Sequence, residues 1–322
     1  MNKITIIKNK NLFFILLTPI LFVGIMLLID IPVGENRDKR EYQYAYETND
    51  PRFEFGYNLL QNIFIGLDQD FEIFWKALLI ILTILILKCY NKISFSIIAI
   101  PNFIYLHEYL FSAQIRFSIA CMLTVLALKS QKKIHAIFLS CFAMVMHYGV
   151  ILIIAQILLI NAMRLSNFFI KIIQIALPLV IISLVINLNF INLNFIIESV
   201  ISNTRFVYYL GTEYFEAKSK VSIAYAGIML FLITIAIKKY NLYGLITEQK
   251  EYRIIYLTHA SCLASVLILS DFAVISGRIL NFTFLLEPII IYGLFRIRSD
   301  FVIIAIRVAM IMLSSAKLLS GV

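Results

Sequence analysis

The sequence predicts an all-α fold: a polytopic integral membrane helix bundle of about eleven transmembrane helices, within a range of about 10–12, carrying two long outer loops. Three observations predict it. The chain of 322 residues is 61% hydrophobic and only 15% charged, whereas soluble domains run at about 45–50% apolar and about 25% charged. That leaves too little polar surface to cover a compact soluble body of this size. The apolar residues also gather into runs of about 20, the length a helix needs to cross a bilayer. Finally, the basic residues segregate to alternate connections between those runs. Together these exclude a soluble domain, a disordered chain and a nucleic-acid-binding protein. The net charge of +9 reads instead as positive loops facing the cytoplasm.

The runs begin near residues 11, 71, 94, 113, 134, 149, 172, 221, 254, 279 and 300. The first, Leu12 to Ile29, follows Lys3, Lys8 and Lys10. It is longer than a typical signal h-region and lacks a small-residue cleavage site, so an uncleaved helix is expected. No repeat of 20–50 residues is visible, and no soluble stretch is long enough to fold alone, so residues 1–322 are expected to form a single membrane domain. Cys89, Cys121, Cys141 and Cys262 are scattered with no CxxC pair, which reads as small apolar residues rather than a disulfide framework or a zinc site.

Placing the N-terminus in the cytoplasm puts Lys129, Lys132, Lys133, Lys238 and Lys239 on short inner connections, where the positive-inside rule applies best. The opposite orientation would put the acid-rich segment 30–70 inside and Lys129 to Lys133 outside. The two long outer loops then cover about residues 30–70 and 189–220. Both hold aromatic and apolar stretches that fit segments lying on the membrane or folding back over a cavity. Asp38, Tyr42 and Tyr46 recur every four residues and would share one face of a helix.

Arg116 is expected to open the helix Phe117–Leu128 from the outer side, and Arg278 to open Ile279–Phe295. Arg205 lies in the second outer loop, before Tyr208 and Tyr209. Each alone could snorkel to lipid headgroups. As a set of outward-facing guanidiniums, with planar forks that bind phosphate bidentately, they suit a diphosphate on a lipid carrier. Glu54, between Phe53 and Phe55, and His147, followed by Tyr148 and Gly149, are the two candidate proton acceptors, with Asp38 next. The apolar neighbours of Glu54 are expected to raise its affinity for a proton. His107 and Glu108 form another outer turn, read as a surface pair. His259 and Glu287 fall inside runs and are read as packing residues. Walker, HExxH and GxSxG motifs are absent, and Asp68 with Asp70 is a weak match to a metal-binding pair. A mechanism without metal or cofactor is the simpler expectation.

Several stretches bear a family resemblance. Asp38, Tyr42 and Tyr46 give a DxxxYxxxY pattern, followed by EFGYNLL over Glu54 to Leu60. Ile115 to Ala120 read IRFSIA, His147 stands at a turn one helix later, and Arg278 precedes late aromatics. In order along the chain these resemble the EpsG family of Wzy-like polysaccharide polymerases, with Phe55 where that family usually has proline and Arg37 where a small residue is common. The resemblance implies glycosyl transfer at the outer face of the bacterial inner membrane. A growing glycan on undecaprenyl diphosphate would pass to a sugar hydroxyl of a new lipid-linked repeat unit. The implied partners are undecaprenyl-diphosphate-linked oligosaccharide, the bilayer, a chain-length regulator and a flippase. Tyr42, Tyr46, Tyr57, Tyr208 and Tyr209 would stack on sugar faces or anchor at the interface. Two rival readings are a flippase for the same lipid-linked unit, which would favour mid-helix charges and internal repeats, and a glycan-modifying acyltransferase, which would favour a His-Asp pair.

Overall fold

The computed structural model describes residues 24–25, 30, 37–90, 93–162, 220–239, 250–269, 272–295 and 301–320. Among them every regular element is helical. The chain divides into two compact units, Met1–Ile151 and Leu152–Val322, taken here in turn. Of the expected run at 11 only residues 24–25 are described, and the run at 172 and the second outer loop up to residue 219, with Arg205 and Tyr208, lie outside the described residues.

The first unit begins with two short helices inside the expected outer loop, α1 (Arg37–Glu47) and α2 (Phe55–Gly66). The four-residue recurrence of Tyr42 and Tyr46 does what helical spacing requires. Tyr42, Ala45 and Tyr46 are buried on one face of α1, while Arg40, Glu41, Tyr44 and Glu47 face out. The buried face lies on the first turns of α3 (Phe71–Cys89), where Tyr46 stacks on Phe74 with centroids 5.0 Å apart and Tyr42 meets Trp75 at 5.9 Å. Asp70 caps α3 by accepting from the Ile73 amide at 2.8 Å, so this half of the Asp68/Asp70 pair satisfies an orphan backbone donor. At the other end, Lys129 donates to the Cys89 carbonyl at 2.5 Å, a cation on a helix C-terminus.

After α4 (Ile93–Leu106) and a π-helical turn (His107–Ser112) comes a helical hairpin, α5 (Ile115–Lys129) and α6 (Lys133–Met146). Its arms have 15 and 14 residues. Arms of near-equal length joined by a short connection bring the start of α5 level with the end of α6. Arg116 and His147 therefore stand at the same end of the hairpin. Helix α2 meets α6 at close range at Gly56: a Cβ there would lie 2.9 Å from both the Val145 carbonyl oxygen and its Cγ1. Only glycine lets α2 dock so tightly on the last turn of α6.

The second unit contains α7 (Ile151–Ala162, from Leu152 onward), α8 (Lys220–Lys239), α9 (Lys250–Ile268), α10 (Ala273–Phe295) and α11 (Phe301–Ser320). Helix α10 starts two turns earlier than the sequence reading placed it. The segment Ala273 to Ser276 continues the helix, and Arg278 lies inside its second turn instead of opening it. The unit has an apolar core with several polar side chains buried in it, and it also exposes large apolar side chains, as expected for a protein dissolved in lipid. Along α11, Phe301, Ile304, Val308, Ile311 and Met312 face outward, while Arg307 and Ser314 are buried. The fully buried Glu287 accepts from Tyr225 Oη at 2.5 Å and Ser314 Oγ at 3.2 Å, tying α8, α10 and α11 together. Arg307 donates through Nε and Nη2 to the Leu294 carbonyl at 3.0 and 2.6 Å. Gln156 joins α7 to α9 by donating to Ser265 and accepting from Ser261. Glu287, Arg307 and Gln156 are thus satisfied by their neighbours, as the hydrocarbon environment demands. One described helix, over Val274–Phe295, is long and apolar enough to cross a membrane alone. The count of about eleven spans rests on the sequence.

Candidate functional site

The loop from Pro51 to Glu54 and the first turn of α2 hang over the end of the α5–α6 hairpin where α5 begins and α6 ends. Asn58 fixes this loop by donating to the carbonyls of Pro51 at 3.1 Å and Phe53 at 2.7 Å. Because α2 docks at Gly56, Glu54 just before it is delivered to the hairpin's end.

There the carboxylate meets two partners. Arg116 Nη1 donates to Glu54 Oε2, and His147 Nε2 lies 3.7 Å from Glu54 Oε1. All three side chains are mostly buried, at 12%, 14% and 10% exposure for Glu54, Arg116 and His147. The guanidinium also donates from Nε to Tyr42 Oη at 3.3 Å. Its carbon sits 4.1 Å from the centroid of Phe53, 5.2 Å from Tyr42 and 5.5 Å from Tyr57. A cation framed by three aromatic rings and a carboxylate is held rigidly. A guanidinium has five N–H groups, so these two bonds leave donors for a further oxygen ligand.

The cluster draws on α1, the 51–54 loop, α2, α5 and the turn after α6. Glu54 is thus not a lone carboxylate among apolar neighbours, as its sequence setting suggested. It is ion-paired, because folding puts the hairpin's arginine against it. Tyr57 is fully buried, and its hydroxyl finds no hydrogen-bond partner among the described residues. Burial, with a further push from Tyr42 and Tyr46, holds its phenol well above the usual range. Gly149 closes the turn: its amide donates to His147 Nδ1 at 2.8 Å, and Phe117 packs edge-on to the imidazole at 5.1 Å.

Of the residues singled out from sequence, the structure brings together Glu54, His147, Arg116, Tyr42 and Tyr57. Asp38 lies one turn before Tyr42 on α1, half-buried. Arg278 belongs to the second unit. His107 Nδ1 meets the Ile104 carbonyl at 2.5 Å, a contact with its own preceding turn. Sequence reasoning missed Phe53 as a cation–π partner and Gly149 as the donor that orients His147. The available signals were the FEF triplet around Glu54 and the glycine two residues after the histidine.

A sequence model of the EpsG family matches residues 11–321. No curated protein sequence and no solved structure matches the chain. With nearly its whole length covered, and the D-Y-Y, Glu54, Arg116 and His147 motifs in order, this membrane protein belongs to the EpsG family, a family of Wzy-like polysaccharide polymerases.

Proposed function

We propose that this protein polymerises a bacterial surface polysaccharide by transferring a growing glycan from undecaprenyl diphosphate onto a lipid-linked repeat unit, at the outer face of the inner membrane. The observation that carries the reading is the convergence of Glu54, Arg116 and His147 beneath an aromatic layer at one end of the α5–α6 hairpin. The chemistry needs a base for the acceptor hydroxyl, positive charge for the departing diphosphate and flat surfaces for sugar rings. The acceptor oxygen forms a bond to the anomeric carbon as the bond from that carbon to the phosphate oxygen breaks. The hydroxyl proton passes to the base, and the bonding pair leaves with the lipid diphosphate. Guanidinium donors in a water-poor site stabilise the charge that develops there, with Arg116 the described contributor and Arg205 and Arg278 the further candidates. Holding two lipid-anchored substrates at one site supplies proximity. The basic inner connections favour a cytoplasmic N-terminus, which puts this end of the hairpin outside. A flippase that supplies repeat units and a chain-length regulator are the partners this reaction calls for.

The test is reconstitution of the purified protein into vesicles with fluorescent lipid-linked repeat units. Chain lengthening is expected. Transbilayer movement without lengthening would make the protein a flippase, and a mass change on single units would make it a modifying transferase.

A further inference from the structure

Glu54 and His147 both meet the simple criterion for a general base: a proton-accepting group at the right end of the hairpin. The hydrogen bond at His147 Nδ1 separates them. The Gly149 backbone amide donates to Nδ1 at 2.8 Å. A backbone N–H is only a donor, so Nδ1 must be the acceptor nitrogen and carries no proton. The proton of the neutral ring is then on Nε2, the nitrogen 3.7 Å from Glu54 Oε1. An Nε2–H group has no lone pair to offer a sugar hydroxyl. Placing a second proton on Nδ1 would set two N–H groups against each other.

The turn geometry enforces this arrangement. A Cβ at position 149 would fall 2.8 Å from His147 Nδ1 and 2.9 Å from Cε1, with Phe117 Cε2 at 3.4 Å. Gly149 therefore lets its amide reach the ring edge while Phe117 packs against the imidazole. Arg116 takes one carboxylate oxygen of Glu54 and the Nε2–H edge faces the other.

We infer that Glu54 is the general base of the transfer, that His147 serves as a hydrogen-bond donor in its Nε2–H tautomer, and that Gly149 is the positioning residue that fixes this tautomer through its backbone amide. The inference rests on the polymerase reading. In the step itself the acceptor hydroxyl gives its proton to Glu54 Oε1 as its oxygen bonds to the anomeric carbon, and the lipid diphosphate departs with the electron pair. His147 gains and loses no proton.

Two measurements test it. The first needs no polymerisation: nitrogen chemical shifts of 15N-histidine-labelled protein in nanodiscs, with the His147 signals identified by their loss in His147→Gln. An unprotonated Nδ1 and a protonated Nε2 are expected, and the opposite tautomer overturns the assignment. The second is the vesicle polymerisation assay. His147→Gln keeps an amide N–H donor near the place of Nε2–H and cannot act as a base. It should restore most of the rate lost in His147→Ala, within about tenfold of wild type, whereas Glu54→Gln should lose about 10²–10⁴-fold. Gly149→Ala should lower kcat with little change in KM, and its effect should shrink when combined with His147→Gln, since no tautomer is then left to fix. If His147→Gln is as inactive as His147→Ala while Glu54→Gln still polymerises, the histidine is the base and the inference fails. If wild-type protein shows the expected tautomer but does not lengthen chains, the polymerase reading fails instead.

Discussion

Arg116 shows how much one side chain decides. Its guanidinium makes a carboxylate bond, a phenol bond and ring contacts at once, which an ammonium cannot reproduce. Arg116→Lys is therefore expected to impair polymerisation at least about tenfold while the protein still accumulates in membranes. Equal rates at equal protein level would reduce Arg116 to a surface cation. Tyr57 offers the opposite test. Its buried hydroxyl has no partner among the described residues, and an unmet buried polar group costs about 1–3 kcal/mol. Tyr57→Phe should raise the unfolding temperature of the detergent-solubilised protein and lower its polymerisation rate, if that hydroxyl is kept for substrate. A variant that is more stable and fully active would show that it is not. Because burial raises the phenol's pKa, the group stays neutral through the working range. No limb of the rate profile between about pH 6 and 9 should shift in this variant.

The helices α1 and α2 occupy the stretch read from sequence as a long outer loop, in which only the spacing of Asp38, Tyr42 and Tyr46 pointed to a helix. In α1 the four-residue spacing of Tyr42 and Tyr46 makes an aromatic face that packs on Phe71, Phe74 and Trp75. Gly56 sets the docking distance. Adding a methyl there forces α2 away from a backbone oxygen that cannot move aside, and overpacking of this kind costs about 1–3 kcal/mol. Gly56→Ala should lower the unfolding midpoint and also slow polymerisation, because Glu54 moves with the helix. Gly66→Ala, at the far end of α2 with nothing within 4 Å, should leave both unchanged. Similar losses in the two variants would refute the docking argument.

For the whole molecule, the charge asymmetry of the connections predicts which end of the hairpin faces out. With the exposed Cys141 replaced by serine, a cysteine at the exposed Thr48 should react with an impermeant thiol reagent in intact spheroplasts. One at the exposed Gln131 should react only after permeabilisation. The reverse pattern would put the Glu54–Arg116–His147 cluster in the cytoplasm and exclude outer-face polymerisation. Outward-facing Ile134, Ile137, Phe138 and Phe142 on α6 make the same point about environment, since an apolar stripe of this length is stable against acyl chains and not against water.

The composition and run lengths were enough to determine helices in lipid. The approximate places of the long apolar helices from Phe71 onward were also legible, as were the motifs that single out Glu54, Arg116 and His147 as candidates, because hydrophobic run length and motif are properties of contiguous residues. The start of α10 was not legible, because Ala273 to Ser276 fit a helix or its preceding turn equally well until packed. Pairing across the chain was beyond sequence too. Arg116 lies 62 residues from Glu54, and nothing local says that a hairpin will carry it there. The role of His147 depended on a single backbone amide two residues away, because a tautomer is set by the direction from which a donor approaches, and direction exists only in the folded chain.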